Sequence, residues 1–418
     1  MNKIHSGFHT NELVMSTPTD AIGSVGFHVV NLGCKVNRVE SDNVAAALLA
    51  KGALAVDLAD ADLIVINTCT VTGEAEKKTR KAVRHALKVN DHARVVVTGC
   101  AIAINPDVYA QMSDRVCIVP KGQVTQALSE ACEHISVLRV GTDFPTRVGI
   151  KIQDGCNNAC TYCIVHVARG RAVSQDPALI IDEVKKYERA GVKEMVLTGI
   201  NLGSYRYKTD EGVMRLADLL KVLLNVTNDV RFRVSSIEPR DVDDDFIELL
   251  SQADGRICRH LHLPLQSGSS RVLKQMARPY DAQRFRELID KLYKAVPSLA
   301  LSTDIIVGFP GETDEDFEQT CDMARYGRFS KIHIFRYSQR EGTPAAARLD
   351  QVSPEIKAAR AKKLEELERE LCQADLLRRK NTTELALVES NGVGTTESYH
   401  SVDVGKNARI GSLVECVL

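Results

Sequence analysis

Short apolar runs alternate with amphipathic segments in two separate series along these 418 residues. The first series has candidate strands at 26–32, 62–67, 94–98 and 116–119, with helical patterns near 41–51 and 74–89. Parallel strands need a crossover between them, usually a helix, so this rhythm predicts a parallel sheet covered by helices. The second series places strands at 148–153, 194–198, 231–235, 260–264, 301–307 and 331–337. Each is followed by a helical stretch, such as 177–190, 216–224 or 281–296. Six βα units are too few to close an eight-stranded barrel, and they predict a partial, open (βα)6 barrel. A charged helix over 354–380 follows, with Pro354 in its first turn. The last stretch is rich in Val, Thr and Gly, with turn signals at Asn391-Gly392 and Gly405-Lys406-Asn407, and reads as a small β-unit. The chain therefore divides into a loose extension over 1–25, an α/β domain over 26–140, a barrel with its trailing helix over 141–380 and a β-domain over 381–418.

Twelve cysteines are placed unevenly on this frame. Cys156, Cys160 and Cys163 stand in Asp154-Gly155-Cys156-Asn157-Asn158-Ala159-Cys160-Thr161-Tyr162-Cys163, a C-x3-C-x2-C spacing. Cys34, Cys69 and Cys100 each follow a candidate strand of the first domain. Open α/β sheets bind ligands at that edge. Gly33 and Gly99 precede two of these thiols and permit close backbone approach. A four-iron cluster takes one thiolate per iron, so three cysteines leave one iron open. Structural zinc closes with four ligands; no second pair stands near Cys156–Cys163, where His166 is the close candidate. Buried packing thiols are the plain alternative for any one cysteine. Cys117, Cys132, Cys258, Cys321, Cys372 and Cys416 are read that way, having no matching spacing.

Composition narrows the setting. Hydrophobic residues at 44% and charged residues at 26% are the proportions of a globular protein. No run is long and apolar enough to cross a bilayer, and the polar first 25 residues do not read as a secretion signal. Cysteine-rich chains of that kind point to a reducing compartment and metal chemistry rather than disulfides. A net charge of −1 excludes a globally basic nucleic-acid binder, so any RNA contact has to come from local patches.

The C-x3-C-x2-C spacing resembles the signature of the radical S-adenosylmethionine (SAM) enzymes. Asn31-Leu32-Gly33-Cys34-Lys35-Val36-Asn37-Arg38-Val39-Glu40-Ser41, Asn67-Thr68-Cys69-Thr70-Val71-Thr72 and Thr98-Gly99-Cys100 join it in a pattern similar to the methylthiotransferases. Ala168-Arg169-Gly170-Arg171, Leu197-Thr198-Gly199-Ile200-Asn201, Ser235-Ser236-Ile237-Glu238-Pro239 and His262-Leu263-Pro264-Leu265-Gln266-Ser267-Gly268 extend it. So do Met276-Ala277-Arg278-Pro279-Tyr280 and 303–312. The resemblance covers nearly the whole chain from residue 26. It implies an N-terminal flavodoxin-like parallel-sheet domain, a central partial (βα)6 radical SAM barrel and a small C-terminal TRAM-like β-domain. Gly-Cys-Lys-Val-Asn followed by Glu40-Ser41 is similar to the members acting on N6-threonylcarbamoyladenosine in tRNA. Two departures stand out: His166 replaces a usual Pro, and Ala172-Val173 replaces a charged pair.

The resemblance implies a methylthio group placed on C2 of that adenosine beside the anticodon. Adenine C2–H is neither acidic nor nucleophilic, which is why cofactors that carry radical chemistry are needed. Two 4Fe-4S clusters are implied, one on Cys156, Cys160 and Cys163 and one on Cys34, Cys69 and Cys100. SAM is expected at strand ends bearing Thr198, Gly199, Asn201, Ser235, Ser236, Gln266 and Gly308, each of which is singly an ordinary βα turn position. RNA contacts are expected from Lys77, Lys78, Arg80, Lys81 and Arg84, with Lys88, on one helix, from Arg169 and Arg171, and from Tyr399 as a stacking ring. A solvated helix face is the plain alternative for the first set. The implied partners are a tRNA carrying N6-threonylcarbamoyladenosine, an external electron donor and a sulfur donor, with no membrane and a cytoplasmic location. The rival readings are the same chemistry on isopentenyladenosine or a ribosomal-protein side chain, a non-catalytic metal-containing RNA-binding protein, and an electron-transfer protein.

Overall fold

A computed structural model describes residues 25–70, 72–124 and 145–418. Residues 1–24 of the extension, and residues 125–144 with Cys132, lie outside the described residues.

The first domain is a five-stranded parallel sheet. Its strands are β1 Gly26–Asn31, β2 Leu54–Ala55, β3 Leu63–Thr68, β4 Arg94–Gly99 and β5 Val116–Ile118, in the order β2-β1-β3-β4-β5. That is the flavodoxin-like doubly wound order. The runs Leu63–Thr68 and Arg94–Gly99 are apolar and β-branched and are buried on both faces, as parallel strands require. Between them runs the helix Gly73–Val89. Thr72 caps it by accepting from the Ala75 N–H at 3.1 Å, with Glu74 and Glu76 in its first turn and Lys88 in its last.

The second unit begins with β6 Arg147–Lys151 and a short antiparallel pair, β7 Gln153–Asp154 with β8 Val173–Ser174. Next come β9 Glu194–Thr198, a hairpin of β10 Arg206–Thr209 with β11 Gly212–Arg215, and β12 Arg231–Val234. Then come β13 His260–His262, β14 Ala300–Val307 and β15 Lys331–Arg336. The strands β6, β9 and β12 pair in parallel, as do β13, β14 and β15, and a parallel bridge from Ser236 to His262 joins the triplets. Six parallel strands thus follow one another in chain order, an open barrel. Side chains alternate along each strand. Val148, Ile150, Met195, Leu197, Phe232 and Val234 pack into the main apolar core. The alternate positions Arg147, Glu194, Arg231 and Arg233 bond one another on the inner side. The β10–β11 hairpin was not anticipated. It is largely exposed, so its sequence carries no apolar alternation to reveal it.

The helix Lys35–Ala50 of the first domain lies directly on β6. A Cβ at Gly149 would stand 2.2 Å from Val39 Cγ2, and Lys151 Nζ bonds Glu40 Oε1 at 2.8 Å. After the helix Pro354–Arg379, four antiparallel strands form the tail: β16 Thr383–Ser390, β17 Gly392–Thr396, β18 Ser401–Gly405 and β19 Leu413–Val417, ordered β18-β17-β16-β19. Arg231 donates to the carbonyl of Leu385, and Arg233 donates to those of Thr396 and Glu397, which fastens this sheet to the barrel. Among the described residues no helix is long and apolar enough to cross a membrane.

Candidate active site

The topology brings Cys34, Cys69 and Cys100 to the C-terminal edge of β1, β3 and β4. Cys69 and Cys100 are buried and Cys34 is exposed. The strand ends are tied by amides. Asn37 Nδ2 donates to Asn67 Oδ1 at 2.9 Å and to the Thr68 carbonyl at 3.0 Å, and Asn67 Nδ2 donates back to the Asn37 carbonyl at 2.9 Å. This network explains the two glycines. A Cβ on Gly33 would lie 2.2 Å from Asn37 Cγ, and Gly99, at φ +98°, would place one 2.5 Å from the Thr68 carbonyl.

The close-set trio sits in the loop after β6. Gly155, at φ +68°, lies so near the Arg171 carbonyl that a Cβ would be 2.0 Å from it. The loop is pinned by the Cys156 N–H on the Gly170 carbonyl and the Thr161 N–H on the Met276 carbonyl, both at 3.1 Å. The backbone N–H groups of Asn158 and Val165 point at Cys156 Sγ and Cys163 Sγ, each at 3.4 Å. Arg278 Nη1 donates to Cys160 Sγ at 3.2 Å. Its other nitrogen donates to both oxygens of Glu238, at 2.7 and 2.6 Å. Burial pushes the Cys163 thiol up to about 11, with Cys160 and Cys156 adding to the rise, and burial also raises Cys156 and Cys100. Thiols placed this way become thiolates when a cation neutralises them, and the N–H and guanidinium groups already face the sulfur atoms. Both trios suit a cationic iron cluster.

A small cavity lies beside Cys34 and Cys100, where the first domain meets the barrel. The first domain contributes Cys34, Asn37, Thr70 and Cys100. The barrel contributes Ile164, Val165, Ala168 and Arg169 from just past Cys163, and Ile200 from just past β9. Arg169 does not stand where an RNA contact needs it. Its side chain is 1% exposed. Nε donates to Cys100 Sγ at 3.1 Å, Nη2 to Asn37 Oδ1 at 3.1 Å, and Nη1 to Asp154 Oδ1 at 3.0 Å and Glu40 Oε1 at 3.2 Å. The motif reading missed this because the partners are 15 to 132 residues away. Arg169 therefore ties the loop of one trio to a sulfur of the other.

The expected SAM residues occupy adjacent strand ends around the same edge. Gln153 Oε1 accepts from the N–H groups of Ile200 and Asn201 at 2.9 and 3.0 Å, and a Cβ on Gly199 would press on it at 2.9 Å. Asn201 Oδ1 is buried with no partner among the described residues, an acceptor whose hydrogen bond is unmade. Thr198 Oγ1 donates to the Ile150 carbonyl, and Ser235 is buried just past the end of β12. Ser236 and Gln266 use their backbones to bridge β13 and β14; Gln266 holds φ +65°. The Gly308 N–H is spent on Glu312 Oε2 at 2.7 Å, so Gly308 serves a turn. Gln153, Glu238 and Arg278 were not singled out from sequence. The last two stood inside motif strings, but nothing local shows that they meet over Cys160.

On the helix Gly73–Val89, Lys77, Lys81, Arg84 and Lys88 form one exposed stripe at helical spacing. Lys78 pairs with Glu74 at 3.2 Å and Arg80 with Glu76 at 3.3 Å. Arg171 is exposed between Val167 and Val173, which are 57% and 65% exposed. The departures His166 and Val173 lie on this outer surface. Tyr399 is partly open, but one face of its ring stacks on His260 at 4.9 Å.

Residues 150–324 match the family described as the radical SAM superfamily, and residues 26–119 match one described as uncharacterized protein family UPF0004. The threonylcarbamoyladenosine tRNA methylthiotransferase MtaB of Bacillus subtilis (strain 168) is 40% identical over 366 residues, 82% of this chain and 80% of the relative. This chain belongs to the radical SAM methylthiotransferase family. The tRNA-2-methylthio-N(6)-dimethylallyladenosine synthase of Endomicrobium trichonymphae is 34% identical over 347 residues, 80% of this chain and 82% of the relative. The radical SAM methyltransferase TsrM of Kitasatospora setae, solved with cobalamin and a 4Fe-4S cluster, superposes with a TM-score of 0.53 at 15% identity, over 77% of each chain. That likeness concerns the fold: a sheet domain followed by a radical SAM barrel. Membership of the radical SAM family implies SAM and a 4Fe-4S cluster, which Cys156, Cys160 and Cys163 could hold.

Proposed function

We propose that this chain places a methylthio group on C2 of N6-threonylcarbamoyladenosine in tRNA. The observation that carries the reading is Arg169, which follows one three-cysteine set in the chain and bonds Cys100 of the other, in a chain whose MtaB relatives cover most of its length. When bound, a cluster and SAM at the barrel edge supply one-electron chemistry able to act on an unactivated C–H. Cys34, Cys69 and Cys100 hold a second cluster, where sulfur is presented. Arg169 fixes the two sets against each other and places a cation beside Cys100. Asn201 stands at the strand end that would meet the methionine group of SAM, and Arg278, held by Glu238, packs on Cys160. The reductant and sulfur donor come from outside the chain.

Mass spectrometry of nucleosides from tRNA, with and without the gene, tests this. Loss of 2-methylthio-N6-threonylcarbamoyladenosine with accumulation of its parent is the expected result. Loss of the 2-methylthio-dimethylallyl nucleoside would favour the second reading, which the dimethylallyladenosine synthase relatives keep in view.

The stripe of Lys77, Lys81, Arg84 and Lys88, which makes no ion pair among the described residues, tracks phosphates. Replacing all four with alanine is expected to weaken tRNA binding and to reduce the slope of log K against log salt by about 3. Filter binding across a salt series measures it. An unchanged slope would assign the stripe to solvent alone.

A further inference from the structure

Lys35 immediately follows Cys34 and opens the helix that lies on β6. Its side chain runs into the barrel. Lys35 Nζ is 5.6 Å from the centroid of the Tyr399 ring, Arg147 Cζ is 5.2 Å from it and Arg233 Cζ is 4.7 Å. Three cations around one ring repel one another, and the carboxylates nearby do not compensate all of them. Glu194 is taken by Arg231 and Arg233, Glu389 by Arg147, and Asp304 faces His262 Nε2 at 3.3 Å. Among the described residues, Lys35 alone of these cations has no carboxylate at ion-pair distance. The surroundings are polar throughout: His262 Nδ1 meets Ser302 Oγ at 3.0 Å, and Ser302 Oγ also meets His260 Nε2 at 3.0 Å. The place is open to a ligand, since Tyr399 is 42% exposed.

Tyr399 itself is held there deliberately. It is a non-glycine residue at φ +74° in the β17–β18 turn. That turn is fixed by Arg233 donating to the carbonyls of Thr396 and Glu397, at 3.0 and 2.9 Å. A strained backbone kept by charged hydrogen bonds marks a side chain whose position matters.

We infer that Lys35, with Arg147 and Arg233 behind it over the Tyr399 ring, is the subsite for the carboxylate of the N6 substituent. This rests on the proposed function. C2 and C6 flank N1 on one edge of the adenine, so an adenine with C2 toward the cysteine sets carries its N6 group along the neighbouring wall, where Lys35 adjoins Cys34. An ammonium left without a counter-ion is completed by one carboxylate. A purely aliphatic N6 group would leave that ammonium uncompensated and would gain nothing from the polar lining.

The test uses reconstituted full-length enzyme and two anticodon stem-loop RNAs. One carries N6-threonylcarbamoyladenosine and the other its carboxyl methyl ester. Binding is read by fluorescence anisotropy, turnover by nucleoside mass spectrometry and iron content by assay. Wild type is expected to prefer the acid by about 10- to 100-fold, the worth of a charge-assisted contact. Lys35→Gln should lose most of that preference and Lys35→Arg should retain it. Equal handling of acid and ester by a wild type that modifies both overturns the inference and leaves the proposed function standing. A wild type that modifies neither overturns both. If Lys35→Gln fails to take up iron, the acid–ester comparison in wild type decides alone.

Discussion

Alanine at Cys100 is expected to abolish methylthio transfer while SAM cleavage continues, whereas alanine at Cys160 abolishes both. The two cysteine sets stand on separate elements, a strand edge of the first domain and a loop of the barrel, so each can be removed without unfolding the other's support. Anaerobically reconstituted protein should lose about four irons in either variant, one cluster's worth. 5′-Deoxyadenosine and the 2-methylthio nucleoside are quantified in parallel. The expected loss is complete, because a ligand thiolate has no substitute at its iron. Retained methylthio transfer in Cys100→Ala would remove the second cluster from the proposal. Retained SAM cleavage in Cys160→Ala would show that the barrel loop does not hold the reacting metal.

Glu194→Gln is expected to cost about 3–5 kcal/mol of stability, the range for breaking a buried ion pair. Glu194 is fully buried at the start of β9. Arg231 approaches at 2.6 Å, Arg233 at 2.8 Å and Arg147 at 3.7 Å. Burial by itself would raise this carboxyl, but Arg233 and Arg231 overcome it and hold the group down at about 2. The glutamine would leave buried guanidinium charge uncompensated, and the same arginines anchor the tail sheet and support Tyr399. Thermal and urea unfolding measure the loss. The pH dependence follows in sign: the folded value lies below the ordinary glutamate value of 4.5, so this contribution is fully present above it and is lost as pH falls through about 2. Wild type should therefore lose stability on acidification in that window more steeply than Glu194→Gln. Equal slopes would mean that the arginines are neutralised by other groups.

The two βα series were legible because a strand of a parallel sheet is a short apolar run and its crossover helix is amphipathic. Leu63–Thr68 and Arg94–Gly99 announce themselves in this way. The largely exposed hairpin Arg206–Arg215, which packs only Tyr207 and Met214 on the core, does not, and neither does the two-residue exposed edge strand Leu54–Ala55. Gly33 and Gly99 were expected to permit close backbone approach at the thiols they precede. Their Cβ positions are filled by the protein itself, by Asn37 and by the Thr68 carbonyl.

By itself the sequence determined the chemistry available: which thiols, at what spacing, and after which strands. Ligand identity is written in residue types, and strand-end placement follows from local periodicity. The tertiary structure alone decided what those residues face. Arg169 reads as a surface cation two residues from Arg171, yet it is buried against Cys100 because the first domain closes over it. Lys35 and Tyr399 are 364 positions apart in the numbering and meet in one barrel. Such pairings depend on which surfaces bury each other when domains pack, and no local period along the chain encodes that.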